Sequence, residues 1–119
     1  MDDVQKFVTG LNISRFLDSL TVERDRSRRN LWTQLLIAEI DRFGALDERL
    51  NLLDDCMESC SRRIAAQRAR FLEPHGDGLD HELEGAYLAN LIEIEHSIRA
   101  RRLQLVQAPD RQRSYRGRG

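Results

Sequence analysis

Residues 28–72, RRNLWTQLLIAEIDRFGALDERLNLLDDCMESCSRRIAAQRARFL, decide the fold. Apolar side chains recur at Trp32, Leu36, Phe43, Leu46, Leu50, Leu53, Met57, Cys60, Ile64 and Phe71 in steps of four and three, the spacing of one helical face. Two d-type positions of the series are polar, Glu39 and Gln67, so the pattern is a heptad with two interruptions. Such a stripe leaves apolar area in water along its whole length, and the helix calls for a partner. Drawn as one unbroken helix, residues 26–72 span roughly 70 Å at 1.5 Å per residue, about twice the diameter of a compact domain of this size. The molecule is therefore elongated or the helix bends. Gly44 marks the bend, because it is the one glycine in the stretch and a Gly in a helix interior costs about 1 kcal/mol relative to Ala.

Upstream, Val4, Phe7, Val8, Leu11, Ile13, Phe16, Leu17 and Leu20 predict a first helix over residues 3–20, with Gly10 and Asn12 as a point of division. The polar run Thr21–Ser27 is a short elbow, in which Asp25 and Ser27 are both suited to cap the next helix. Downstream, Pro74-His75-Gly76-Asp77-Gly78 ends the long helix, since proline breaks the hydrogen-bond ladder and glycine accepts positive φ. Asp80 then caps a final helix over residues 79–106 whose apolar set is Leu83, Tyr87, Leu88, Leu91, Ile92, Ile94, Ile98 and Leu105. The lengths match in pairs: 3–20 against 26–43, and 45–72 against the final helix. The expectation is a single all-α domain over residues 1–107, two elongated hairpins sharing one long central helix with coiled-coil-like packing. The tail 108–119 lacks apolar periodicity and is expected to be disordered.

Composition supports helices and little else. Of 119 residues, 40% are hydrophobic and 33% charged, a balance suited to exposed helices around a narrow core, with only two prolines to interrupt them. The net charge of -1 conceals a segregation: residues 73–96 hold seven acids and no Lys or Arg, whereas 97–119 hold seven arginines against Asp110 alone. Much of this swing suits the final helix, with acids at its positive N-terminal end and Arg99, Arg101 and Arg102 toward its C-terminal end. The start, MDDVQKFVTG, has neither the basic residues nor the apolar core of a secretory signal, and no stretch approaches the ~18 apolar residues of a membrane span. Two cysteines and no export signal make a reducing cytoplasm the expected compartment, with no membrane association.

Catalysis finds no support: there is no Gly-rich phosphate loop, His-Glu-x-x-His element or nucleophile–His–acid pattern. Cys56 and Cys60, four apart, share one helix face, but a structural zinc site needs four ligands and no matching pair stands near, so both are read as packing residues. Glu93 and His96 form the Glu-x-x-His spacing of carboxylate-bridged metal bundles, with Glu39 as the one unusual carboxylate on the long helix. These two features lie on different hairpins, so a shared site would have to form between molecules, and no cofactor or metal is expected. The tail residues Arg111, Arg113, Tyr115, Arg116 and Arg118 set an aromatic among arginines, a composition that contacts nucleic-acid phosphate and stacks on a base.

Residues 12–50 resemble short uncharacterised helical-hairpin proteins of alphaproteobacteria. The shared features are an Asn-Ile-x-x-Phe helix (here Asn12, Ile13, Phe16), a charged elbow ending in paired arginines (Arg28, Arg29) and a Leu-Leu-x-x-Glu helix (Leu35, Leu36, Glu39). The resemblance implies hairpin geometry and a bacterial source, and transfers no functional residue.

The function expected from these features is a non-enzymatic, regulatory or interaction protein that self-associates, most simply as a dimer, or else binds a foreign helical protein. A hairpin buries one stripe of each helix, so Trp32, Leu35, Leu36, Leu88 and Ile92 are the residues expected to need covering from outside. Nucleic-acid association through the tail is the alternative, and a carboxylate/His metal-binding helical protein the third reading.

Overall fold

A computed structural model describes the backbone of residues 3–74 and 78–118 and the side chains of residues 3–74 and 80–107. It comprises α1 (Asp3–Val22), α2 (Arg26–Asp41), α3 (Leu46–Leu72) and α4 (Gly78–Arg118), with no strand among the described residues. The all-helical class is as expected, and the bounds of α1, the start of α2, the end of α3 and the start of α4 lie within two residues of those the periodicity predicts. α1 runs unbroken through Gly10 and Asn12. Asp25 caps α2, its carboxylate accepting the Arg28 backbone N–H at 2.9 Å, so the elbow is as short as its polar sequence implies.

The shared central helix is the first expectation to change. No single long helix joins the two hairpins, because residues 42–45 end α2 and start α3 afresh. Gly44 has φ 61°, the left-handed region that a side chain disfavours, and a Cβ there would lie 2.5 Å from the Glu48 carboxylate. A glycine in that conformation lets the chain reverse, where one kept in helical geometry would only have bent it. The N–H groups of Arg42 and Phe43 close the last turn of α2 on the carbonyls of Ala38 and Ile40. α3 ends before Pro74, as its sequence requires, whereas α4 begins at Gly78, which places Asp80 inside its first turn instead of at its cap. The turn residues 75–77 lie outside the described residues. α4 is continuous to Arg118, past the boundary expected near 106; the side chains of 108–118 and all of residue 119, on which the expectation of disorder falls, lie outside the described set.

Cross-helix bonds give the topology. Asn12 meets Glu39 at 3.3 Å and Phe16 meets Trp32 with ring centroids 5.8 Å apart, so α1 and α2 are antiparallel. Arg102 pairs with Asp54 at 2.6 Å and Gln67 with the Glu84 carbonyl at 3.0 Å, so α3 and α4 are antiparallel. Arg29 faces Glu93 at 3.9 Å and Arg101 faces Asp41 at 2.9 Å, which sets α2 parallel to α4. The four helices thus run up-down-up-down, and the first hairpin folds back on the second. Arg63 ties α1 to α3 through Asp18 and Ser14.

The core is one cluster: Ile13, Leu17 and Leu20 of α1, Leu36 and Ile40 of α2, Leu53, Cys56, Cys60 and Ile64 of α3, and Leu91, Ile94, Ile98 and Leu105 of α4. Beyond Arg63 and Asn90, α3 and α4 project past the first hairpin as a two-helix arm. Here Phe71 stacks on His81 at 4.3 Å, and Gly85 admits the Phe71 ring, which a Cβ would approach to 3.0 Å. The arm accounts for the elongation expected from the sequence. The extents are 65 × 32 × 24 Å, and the radius of gyration of 17.0 Å exceeds the ~13.5 Å of a compact chain this long.

Candidate interaction surface

Both polar d positions of the heptad have partners. Glu39, half-buried, accepts from Asn12 and from Arg42 at 2.6 Å; Gln67, buried, donates to the carbonyl and the carboxylate of Glu84. A third polar residue follows the same logic and is not singled out by its composition. Asn90 is buried, and its amide donates to the Thr21 and Glu23 carbonyls at 3.0 Å each. It therefore satisfies carbonyls that α1 leaves open at its C-terminus. Arg29 supports the same elbow, donating to the Arg24 carbonyl at 3.0 Å. The signal for Asn90 was present: the track Leu83, Tyr87, Asn90, Ile94, Ile98 has steps of four and three with one polar member.

The metal candidates are not brought together. Glu39 is engaged with Asn12 and Arg42, Glu93 and His96 are exposed on α4, and no group of three ligating side chains forms among the described residues. Cys56 and Cys60 are both buried and unpaired by any disulfide. Burial, followed by the neighbouring Cys60 and Asp55, pushes the Cys56 thiol up from an ordinary 9.0 to about 12. Burial and then the Glu95 carboxylate push Cys60 up to about 11, Arg63 opposing them. Since the thiolate is the nucleophile, both cysteines are expected to react with an aromatic disulfide reagent at pH 8 far more slowly in the folded protein than in denaturant. The same shift carries a stability consequence. Raised native thiol values leave stability unchanged well below pH 9 and lower it as the pH climbs from there toward 11–12, because the unfolded chain ionises first. Urea unfolding at pH 7.5 and 10.5 checks the sign.

Of the five residues expected at the surface, Leu36 is not there: it is fully buried, 0% exposed. It needs no cover from outside, because α1 and α2 close against α3 and α4 and bury it within the chain. Trp32, Leu88 and Ile92 are half-buried against the core, and only Leu35, at 42%, is exposed. Arg111, Arg113, Tyr115, Arg116 and Arg118 belong to the helical backbone of α4, and their side chains lie outside the described set.

A run of four exposed apolar side chains lies instead on α1, while Leu72 of α3 and Leu103 and Val106 of α4 are exposed elsewhere. Val4, Phe7, Val8 and Leu11 are 72%, 67%, 47% and 43% exposed. At 3.6 residues per turn they share one arc of the helix with Val22, also exposed, and this arc stands roughly 180° from Ile13, Leu17 and Leu20. The core residues in the second half of α1 set its rotation, and an unbroken helix carries that phase into its first half. Lys6 and Gly10 therefore turn toward α3, where they line shallow grooves with Glu48 and Asp55 and with Leu52 and Cys56, respectively. On α2, Leu31 and Leu35 are exposed too, and an open groove of about 310 Å³ runs between the helices past Arg15, Phe16 and Trp32. No described helix is long and apolar enough to cross a membrane. No family model, curated protein or solved structure matches this chain.

Proposed function

We propose that this protein is a non-enzymatic helical interaction protein that self-associates through the outer side of its first hairpin, α1–α2. The observation that carries this reading is the stripe Val4, Phe7, Val8 and Leu11, facing away from its own core. Four apolar side chains at helical spacing cost free energy in water at about 25 cal/mol per Å², so a stripe in this position is stabilised by whatever covers it. With Leu31 and Leu35 the exposed apolar side chains amount to on the order of 500 Å², and a symmetric pair would bury roughly 1,000 Å², the lower end of specific interfaces. The reading keeps the self-association expected from the sequence and moves its surface from Leu36, Leu88 and Ile92 to α1 and Leu35.

Sedimentation equilibrium on the full chain at micromolar concentration tests it. A dimer is expected, and Phe7→Asp should convert it to a monomer with unchanged helical circular dichroism, because Phe7 supports no core contact. A wild-type monomer across the micromolar range would sink the proposal.

A further inference from the structure

We propose that the projecting C-terminal end of α4, residues 111–118, binds single-stranded nucleic acid, its arginines meeting the phosphates and Tyr115 a base. The proposal is independent of self-association through α1–α2. Its basis is the level at which each helix stops. Arg102 lies opposite Asp54, so Leu46, the first residue of α3, is level with about residue 110 of α4. Asn90 lies opposite Thr21 and Glu23, so Asp3, the start of α1, is level with about residue 109. α2 ends sooner, since its last residue, Asp41, faces Arg101. The backbone of α4 stays helical to Arg118, which carries it roughly 12 Å past the other three helices at 1.5 Å per residue.

Charge changes at the same level. Arg99, Arg101 and Arg102 are taken up by Glu95, Asp41 and Asp54 of this chain. Residues 111–118 then hold Arg111, Arg113, Arg116 and Arg118 and no acid, so the positive excess of the C-terminal third collects on the projecting turns. The negative end of a helix amounts to about half a charge, far less than four arginines supply. On a chain with net charge -1, a polyanion is drawn to this end and not to the molecule as a whole. The residue types select among polyanions. Arg111, Tyr115 and Arg118 take helical positions within about 60° of one another, so one side of the projection carries an aromatic residue between two arginines. Arginine engages phosphate through two parallel N–H groups and tyrosine stacks on an unpaired base, the combination that single strands reward. Membrane binding would call for large apolar residues on the same turns, and residues 107–119 contain no Leu, Ile, Val, Met, Phe or Trp.

Fluorescence anisotropy of a labelled single strand of mixed sequence, about 20 nucleotides long, titrated with the full chain tests the proposal. Four phosphate contacts at about 0.7 each predict that log affinity falls against log salt with a slope near -3. Replacing the four arginines together (Arg111→Gln, Arg113→Gln, Arg116→Gln, Arg118→Gln) keeps helix propensity and should weaken binding more than about tenfold. Tyr115→Ala should weaken it about tenfold on the single strand and leave binding to a duplex of the same length unchanged. A control variant, Arg24→Gln, Arg26→Gln, Arg28→Gln and Arg68→Gln, removes as many charges from exposed positions at the elbow and on the arm, and should bind within about twofold of wild type. No binding by the wild-type chain, or an equal loss in the control variant, overturns the site. Binding indifferent to Tyr115→Ala, or as tight to phosphatidylserine vesicles as to the oligonucleotide, overturns the assignment to single strands. None of these outcomes depends on whether the chain sediments as a dimer, so this proposal and the self-association stand or fall separately.

Discussion

Leu36→Asp is expected to abolish the cooperative thermal transition of this protein, whereas Leu35→Asp, one residue earlier, should melt within a few degrees of wild type. Leu36 is fully buried in a core that draws on all four helices, so an aspartate there would be carried out of water among apolar side chains. An isolated carboxylate in such a place either stays charged without a partner or takes up a proton, and either way costs several kcal/mol, as does the lost leucine packing. Against a typical domain stability of about 5–15 kcal/mol, that removes most or all of the folded population. Leu35 is exposed and has no such role in the core. Circular dichroism melts of the two variants make the comparison, and equal melting temperatures would contradict the packing described here. The experiment also separates folding from association, since a surface variant should lose only the dimer.

Asn90→Leu should destabilise the protein by about 2–3 kcal/mol, although it replaces a polar residue in a largely apolar track with a better helix former. The amide of Asn90 is shared between the carbonyls of Thr21 and Glu23, at the C-terminal end of α1 and the start of the elbow. Leucine would leave the Thr21 carbonyl without its side-chain donor and the Glu23 carbonyl with only the Arg29 guanidinium, at 3.5 Å, and the cost of an orphaned carbonyl exceeds the gain of a buried methyl group. The effect should fall on the docking of the first hairpin, so urea denaturation followed at Trp32 should show the loss at least as strongly as helical ellipticity does. A gain in stability on Asn90→Leu would refute the account of Asn90 as the tie between α4 and the α1–α2 elbow.

Polar residues at heptad positions show how far local pattern reaches. Glu39 and Gln67 stand out as interruptions of an apolar series, and the structure pairs both, yet nothing within several residues of either one names Asn12 or Glu84 as the partner. Those partners come from other helices, 27 and 17 residues away. The metal reading of Glu93 and His96 had the same weakness: the Glu-x-x-His spacing is local, but the further ligands it needs have to arrive from elsewhere, and none does among the described residues.

What the sequence determined by itself was the all-helical class, an elbow whose next helix Asp25 or Ser27 could cap, the stop before Pro74 and a weak point at Gly44. Each is settled within one or two turns, by side-chain period, a capping oxygen, a missing N–H or a glycine that tolerates positive φ. Only the tertiary structure decided which apolar residues are inside. In α1 the apolar residues read as one face in the sequence, but they divide into two stripes on opposite sides of the helix, 4-7-8-11 exposed and 13-17-20 buried. The second wins because α2 and α4 pack against it, with Asn90 fastening the end of α1, and a rigid helix then has no freedom to turn its first half inward. Leu35 and Leu36 divide in the same way: adjacent leucines point about 100° apart, and the neighbouring helices close over only one of them.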